Sequence, residues 1–66
     1  MEKPLDALQG ARNKRVLVEL WNGTKYIGVL VSFDLHSNIV LNNAELEDGT
    51  VKEWVFLRNV FGLVIL

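Results

Sequence analysis

From Val16 onward the sequence alternates. Val16, Val18 and Leu20 fall on one side of an extended chain and Leu17, Glu19 and Trp21 on the other, a period of two that suits a strand. Asn22-Gly23 follows directly. It is the preferred hairpin dipeptide, because both central residues of a type I′ turn need positive φ. The chain is thus committed early to antiparallel pairing, with a second strand predicted over about 26–33. Gly28 lies inside that strand, and a glycine there marks a sharp bend or the close approach of another backbone. The apolar run then breaks at Asp34-Leu35-His36-Ser37-Asn38 and resumes at Ile39. A third strand begins at 39–42, the acidic stretch 45–48 forms a solvated tip leading to Asp48-Gly49, and 51–57 and 60–66 read as the fourth and fifth strands. Ahead of the strands, Pro4-Leu5-Asp6-Ala7-Leu8 suits a short helix over 4–11, with Leu5 and Leu8 on one face and Gly10 available to end it. A short helix followed by five short, twisted strands over 15–66 reads as an all-β barrel of the SH3-like or OB type.

The size of the chain raises a stability problem. With 66 residues, residues 1–66 read as a single domain near the limit at which one core offsets the entropy of ordering the chain. The absence of cysteine excludes disulfides and thiolate metal sites, and one histidine is too few for a zinc cluster, so no metal or other cofactor is expected. Half of the residues are apolar, more than so small a globule can hide from water. The strand 60–66 is apolar on both faces, and in 51–57 Trp54 and Phe56 alternate with Val55 and Leu57. Both strands therefore call for cover on two sides. A neighbouring copy of the same chain would supply it. No stretch reaches the roughly 18 apolar residues of a membrane span, and Met1-Glu2-Lys3-Pro4 lacks the apolar segment of a signal peptide, so the reading is a soluble, cytoplasmic protein with no membrane partner. A net charge of −1 argues against a general polyanion binder. Any nucleic-acid role must be local and directed at bases.

The ordered pattern Val18-x-Leu20-x-x-Gly23, then Tyr26-x-Gly28-x-Leu30-x-x-Phe33-Asp34-x-His36-x-Asn38-Ile39-x-Leu41, resembles the first motif of the Sm and Sm-like proteins. The segment Pro4 through Leu8 and the Asp-Leu-His-x-Asn form of the loop resemble the archaeal branch. A second motif is partly kept as Phe56-Leu57-Arg58-Asn59-Val60. The resemblance implies a helix-capped, strongly bent five-stranded antiparallel barrel whose fourth strand pairs with the fifth strand of the next subunit. That pairing closes a ring, a homoheptamer in archaeal relatives. It further implies binding of single-stranded uridine-rich RNA around the inner rim, one nucleotide per subunit, in RNA processing or ribonucleoprotein assembly. His36, Asn38 and Arg58 match the family's binding positions.

The chemistry of those residues suits the role. A flat imidazole and a flat guanidinium can sandwich a base, and the Asn38 amide offers a donor and an acceptor complementary to the uracil edge. An amide free to flip would accept cytosine as well. Asp34 is placed either to fix that amide or to hold the loop through backbone N–H groups. Two positions depart from the family pattern: Asn59 stands where it usually has glycine and Val60 where it usually has a polar residue. Asn59 is the non-glycine residue that best tolerates positive φ, whereas Val60 offers Arg58 no hydrogen bond.

Blander readings exist for each residue. His36 could be a surface residue, Asn38 a loop cap, Arg58 a solvated strand-end residue, and Lys3, Arg12, Lys14 and Arg15 ordinary basic surface. Trp21 and Trp54 read as packing or interface residues. Asp34, His36 and Ser37 are the residue types of a hydrolase triad, but triads assemble from separate elements and neighbours in one tight loop do not converge. No enzymatic activity is expected. The competing non-enzymatic reading is a ring that scaffolds other proteins and has lost most RNA binding.

Overall fold

The computed structural model describes residues 4–66, with side chains from Leu8 onward. Lys3 and the Leu5 side chain lie outside the described residues. The order of elements is α1 (Pro4–Ala11), β1 (Arg15–Glu19), β2 (Lys25–Phe33), β3 (Ile39–Leu46), β4 (Val51–Leu57) and β5 (Gly62–Ile65). All strand pairs are antiparallel, and the sheet runs β4-β3-β2-β1-β5. No helix among the described residues is long and apolar enough to cross a membrane.

Alternation builds the core. Val16 and Val18 of β1, Leu30 of β2, Ile39, Leu41 and Ala44 of β3, and Val55 and Leu57 of β4 are buried together with Ala11. Helix α1 covers one end of this core through Ala11 and the partly buried Leu8. It does not stop at Gly10. The helix continues to Ala11 and the chain turns at Asn13, whose φ of 65° places it in the left-handed region that asparagine tolerates. The Asn13 N–H then donates to the Leu30 carbonyl at 2.8 Å, fixing the helix end to β2.

The first tight hairpin differs from the expected type I′ geometry, and the second shares its form. In the first, Leu20 and Thr24 flank a three-residue loop: the Leu20 N–H donates to Thr24 O (2.9 Å) and the Gly23 N–H to Leu20 O (2.9 Å). Gly23 alone has positive φ, at 87°, while Asn22 uses its Oδ1 to accept from the Thr24 N–H (3.0 Å). This is a turn closed by a left-handed glycine. Leu46-Glu47-Asp48-Gly49-Thr50 repeats the pattern bond for bond, with Gly49 at φ 90° and Asp48 Oδ1 accepting from the Thr50 N–H. The acidic stretch is accordingly only half a turn: Glu45 and Leu46 are the end of β3, paired with Ile27 and Tyr26.

Strand β2 is the bent one. Its pairing with β3 shifts register twice, once between Ile27 and Val29 and once between Leu30 and Ser32. The first shift places an extra residue on β3, where Asn43 has a left-handed φ of 52°. The second places an extra residue on β2. Bulges on both strands of a pair bend and twist them locally. Gly28 faces the first bulge, and a Cβ there would stand 3.0 Å from the Asn42 carbonyl oxygen and 3.1 Å from Ala44 Cα. Both readings of this glycine, bend and close approach, hold. Replacing Gly28 with valine is expected to destabilise the fold by about 2–3 kcal/mol through overpacking, read as a lower urea midpoint at fixed protomer concentration.

The fifth strand is shorter than 60–66. Val60 is drawn away by a bond to the β2–β3 loop, its N–H donating to Ser37 O, while the Phe61 N–H meets β1 one residue out of register, donating to Glu19 O, both at 2.9 Å. Strand pairing starts at Gly62, opposite Glu19. Strands β4 and β5 each have one neighbour and are the free edges of the sheet. Within one chain β4 is covered on one face only. Val55 and Leu57 are buried, while Trp54 and Phe56 are 52 % and 76 % exposed.

Candidate nucleic-acid interface

The β2–β3 loop is organised by one carboxylate. Asp34 Oδ1 accepts from the backbone N–H of His36 (2.8 Å) and of Asn38 (3.1 Å), and Oδ2 accepts from Asn38 Nδ2 (2.9 Å). The backbone closes the same loop, with the Asp34 N–H donating to Asn38 O at 3.0 Å. These bonds favour the ionised acid. The Asn38 side-chain hydrogen bond is the largest of the influences holding Asp34's carboxyl below its ordinary value, followed by the His36 N–H. Because the value is lowered on folding, the loop's hold is complete above the ordinary carboxylate range and fades as pH falls through the lowered value.

Asn38 is gripped from a second side. Its Oδ1 accepts from the backbone N–H of Asn59 at 2.8 Å, across 21 residues of sequence. The amide orientation follows from chemistry. A flip would set Oδ1 against the Asp34 carboxylate and Nδ2 against the Asn59 N–H, losing both bonds and creating two like-on-like contacts. One Nδ2 hydrogen and one Oδ1 lone pair remain for an outside group. Their fixed order offers a donor beside an acceptor, the complement of uracil O4 and N3–H and a mismatch for cytosine, whose acceptor and donor are interchanged.

The β4–β5 turn supplies the second half of the site. Asn59 has a φ of 49°, the conformation glycine would adopt freely, so the turn survives the departure from the family pattern. Its backbone N–H reaches Asn38, and the neighbouring Val60 N–H reaches Ser37. Ser37 itself is held at φ 60°. Asn59→Gly is expected to keep the Asn38 bond and change stability by less than about 1 kcal/mol. Asn59→Val should cost more, since a β-branched residue is a poor fit to positive φ; chemical denaturation of the two variants compares them.

Asp34, Asn38 and Arg58 line one cleft of about 440 Å³, together with Phe33, Val40 and Phe56. His36 is exposed on the same loop and is not among the residues lining that cleft. The structure therefore joins Asn38 to Arg58, Asp34 and Asn59, and leaves His36 at the loop surface. Phe56, assigned from sequence to an interface with another copy, also forms an apolar wall of the cleft. Its spacing two residues before Arg58 is the one sequence signal that could have shown this, since alternate residues of a strand share a side.

A small, strongly bent antiparallel sheet with two free edges, carrying a polar site on paired loops, defines a β-barrel domain suited to edge-to-edge assembly and recognition of a flat ligand. Residues 6–66 match the LSM domain model, and the chain belongs to that family. An snRNP Sm-like protein of Pyrococcus furiosus is 47 % identical over 51 residues, which cover 76 % of this chain and 67 % of that protein. Among solved structures, the Pyrococcus abyssii Sm protein in complex with a uridine heptamer superposes with a TM-score of 0.87 at 34 % identity, covering 98 % of this chain and 100 % of that one. The P. aerophilum SmAP1 heptamer gives a TM-score of 0.87 at 31 % identity, with coverages of 100 % and 96 %.

Proposed function

We propose that copies of this chain, each acting as a single domain over 1–66, close a homoheptameric ring through β4 and β5 and bind single-stranded uridine-rich RNA without catalysing a reaction. The observation that carries the RNA reading is the two-sided grip on Asn38, which presents a donor and an acceptor in one fixed order beside Arg58. Free edges at β4 and β5, flanked by exposed Trp54, Phe56, Val64 and Ile65, support the ring, as does the heptameric state of a structural neighbour. The uridine heptamer bound by another supports the ligand. Asn38 reads the base edge, Arg58 and His36 stack on the base or steer its phosphate, and Asp34 and the Asn59 backbone hold Asn38. A cytoplasmic location is part of the same reading.

Three observations favour weaker binding than the family pattern implies. Arg58 is exposed, Val60 gives it no polar partner, and Asp34 is already committed to three donors. Native mass spectrometry with and without oligouridine tests both readings together. The expected result is a ring mass that rises by one strand on adding oligouridine and not on adding oligocytidine. A ring that takes up neither strand supports the scaffold reading, and a monomer mass removes both.

A further inference from the structure

The two glycine-closed hairpins share one bonding pattern, with an amide in the first where the second has a carboxylate. In the first, Asn22 Oδ1 accepts from the Thr24 N–H at 3.0 Å and the Gly23 N–H donates to Leu20 O at 2.9 Å. In the second, Asp48 Oδ1 accepts from the Thr50 N–H at 2.8 Å and the Gly49 N–H donates to Leu46 O at 3.0 Å. The tips lie side by side, with Asn22, Glu47 and Asp48 around one hollow. Asn22 and Gly23 are exposed. Of the chain's six asparagines, Asn22 alone precedes a glycine. That neighbour matters to the amide, because glycine has no side chain to shield its backbone nitrogen.

From this geometry we propose that Asn22 is a site of spontaneous deamidation and isoaspartate formation, restrained by its hairpin and set apart from Asp48. The Gly23 backbone nitrogen gives up its proton and attacks Asn22 Cγ. A bond forms between them, the bond from Cγ to Nδ2 breaks, and Nδ2 leaves as ammonia with that proton. The product is a five-membered succinimide. Water opens it at either carbonyl, giving aspartate where it adds at Cγ and isoaspartate where it adds at the backbone carbonyl carbon of residue 22. The Thr24 N–H polarises the side-chain carbonyl under attack, as a donor aimed at a developing oxyanion does. The Gly23–Leu20 bond opposes attack, so the reaction waits on opening of this exposed tip, a motion at the low end of local stability. Asp48-Gly49 is spared. Hydrogen bonds from Thr50, its side chain first and its backbone second, hold the Asp48 carboxyl below its ordinary value and keep it ionised, and a carboxylate repels the attacking lone pair. The two products differ in consequence. Asp48 shows that aspartate fits this turn with every bond kept, so the aspartyl product keeps the fold and adds one negative charge beside Glu47 and Asp48. Isoaspartate runs the main chain through Cβ and Cγ, one atom longer, and moves Thr24 out of its bond with Leu20. It is a residue of the class taken by carboxyl methyltransferases that recognise isoaspartate.

The test incubates the full chain at mildly alkaline pH and maps the products by peptide mass spectrometry. The expected result is a single acidic shift first, with deamidation at Asn22 ahead of Asn13, Asn38, Asn42, Asn43 and Asn59. An isoaspartate-specific carboxyl methyltransferase should transfer methyl groups from S-adenosylmethionine to the aged chain and not to the fresh one. Asn22→Gln, whose longer side chain disfavours ring closure, should remove both signals, and Asn22→Asp should keep the β signature in far-UV circular dichroism. Guanidinium chloride should speed loss of the amide by freeing Gly23 from Leu20. An Asn22 that stays intact, or that reacts behind another asparagine, overturns the site. Methylation that survives in Asn22→Gln overturns it too, placing isoaspartate elsewhere in the chain. A rate that does not rise on unfolding overturns the restraint by the hairpin, and an Asn22→Asp chain without the β signature overturns the likeness of the two turns.

Discussion

Asn38→Ala is expected to collapse the preference for oligouridine over oligocytidine while leaving the ring mass unchanged. In the proposed pocket the free donor and acceptor of the Asn38 amide would tell the two bases apart, and a hydrogen-bonded base edge contributes about 1 kcal/mol net, or roughly fivefold, at each pocket. Several pockets on one strand multiply that factor, so three engaged subunits give about a hundredfold difference in affinity. Removing the amide should leave only stacking and charge, which both strands share. Asp34→Asn makes a sharper companion. It keeps an oxygen for the His36 and Asn38 N–H groups but turns Oδ2 into a donor facing Asn38 Nδ2. Either the amide flips or the bond is lost. In both cases cytidine should gain on uridine, whereas Asn38→Ala lowers uridine binding without a gain for cytidine. Measuring both variants against both strands at one salt concentration separates the amide's role from the carboxylate's, and an unchanged preference in Asn38→Ala would refute the pocket.

The loop that carries this site was legible in the sequence because its residues are local. Asp34 to Asn38 interrupts an apolar run, and the two contacts foreseen for Asp34, with the Asn38 amide and with backbone N–H groups, are present as bonds within that loop. What local pattern could not show is the contact from Asn59 across 21 residues, since the side chain of Asn59 is irrelevant to a bond made by its backbone. The same kind of contact misled the strand boundary. Val60 and Phe61 look like strand residues by hydropathy, but the Val60 N–H serves Ser37 instead of the ladder, and the Phe61 N–H meets Glu19, the residue already paired with Gly62. The hairpins show a subtler limit: Asn22-Gly23 announces a turn, yet Asn22 spends its side chain on the Thr24 N–H and leaves positive φ to glycine alone. Gly28 was the most informative single residue. Its missing side chain recorded both the bend of β2 and the proximity of the Asn42–Ala44 backbone.

Ile65→Pro should convert the ring to monomers and abolish tight RNA binding with it. The Leu66 N–H donates to the Arg15 carbonyl at 2.9 Å, and in an antiparallel strand successive residues point to opposite sides. The Ile65 N–H therefore points away from β1, to the free edge, where it serves no bond within the chain. Proline there removes a donor that only a neighbouring strand could use, the same device by which natural edge strands resist pairing. Internal β1–β5 bonds are spared, so far-UV circular dichroism should retain its β signature. The loss is amplified by closure. In a ring of identical copies the lesion recurs at every joint, and about 2 kcal/mol lost per joint weakens each roughly thirtyfold. Oligouridine affinity should then fall with ring mass, because single pockets of modest strength lose the effective concentration that linked copies provide. An Ile65→Pro protein that keeps its ring mass would show that the edge of β5 is not the joint. One that is monomeric yet binds oligouridine as tightly as the parent would show that assembly does not underlie affinity.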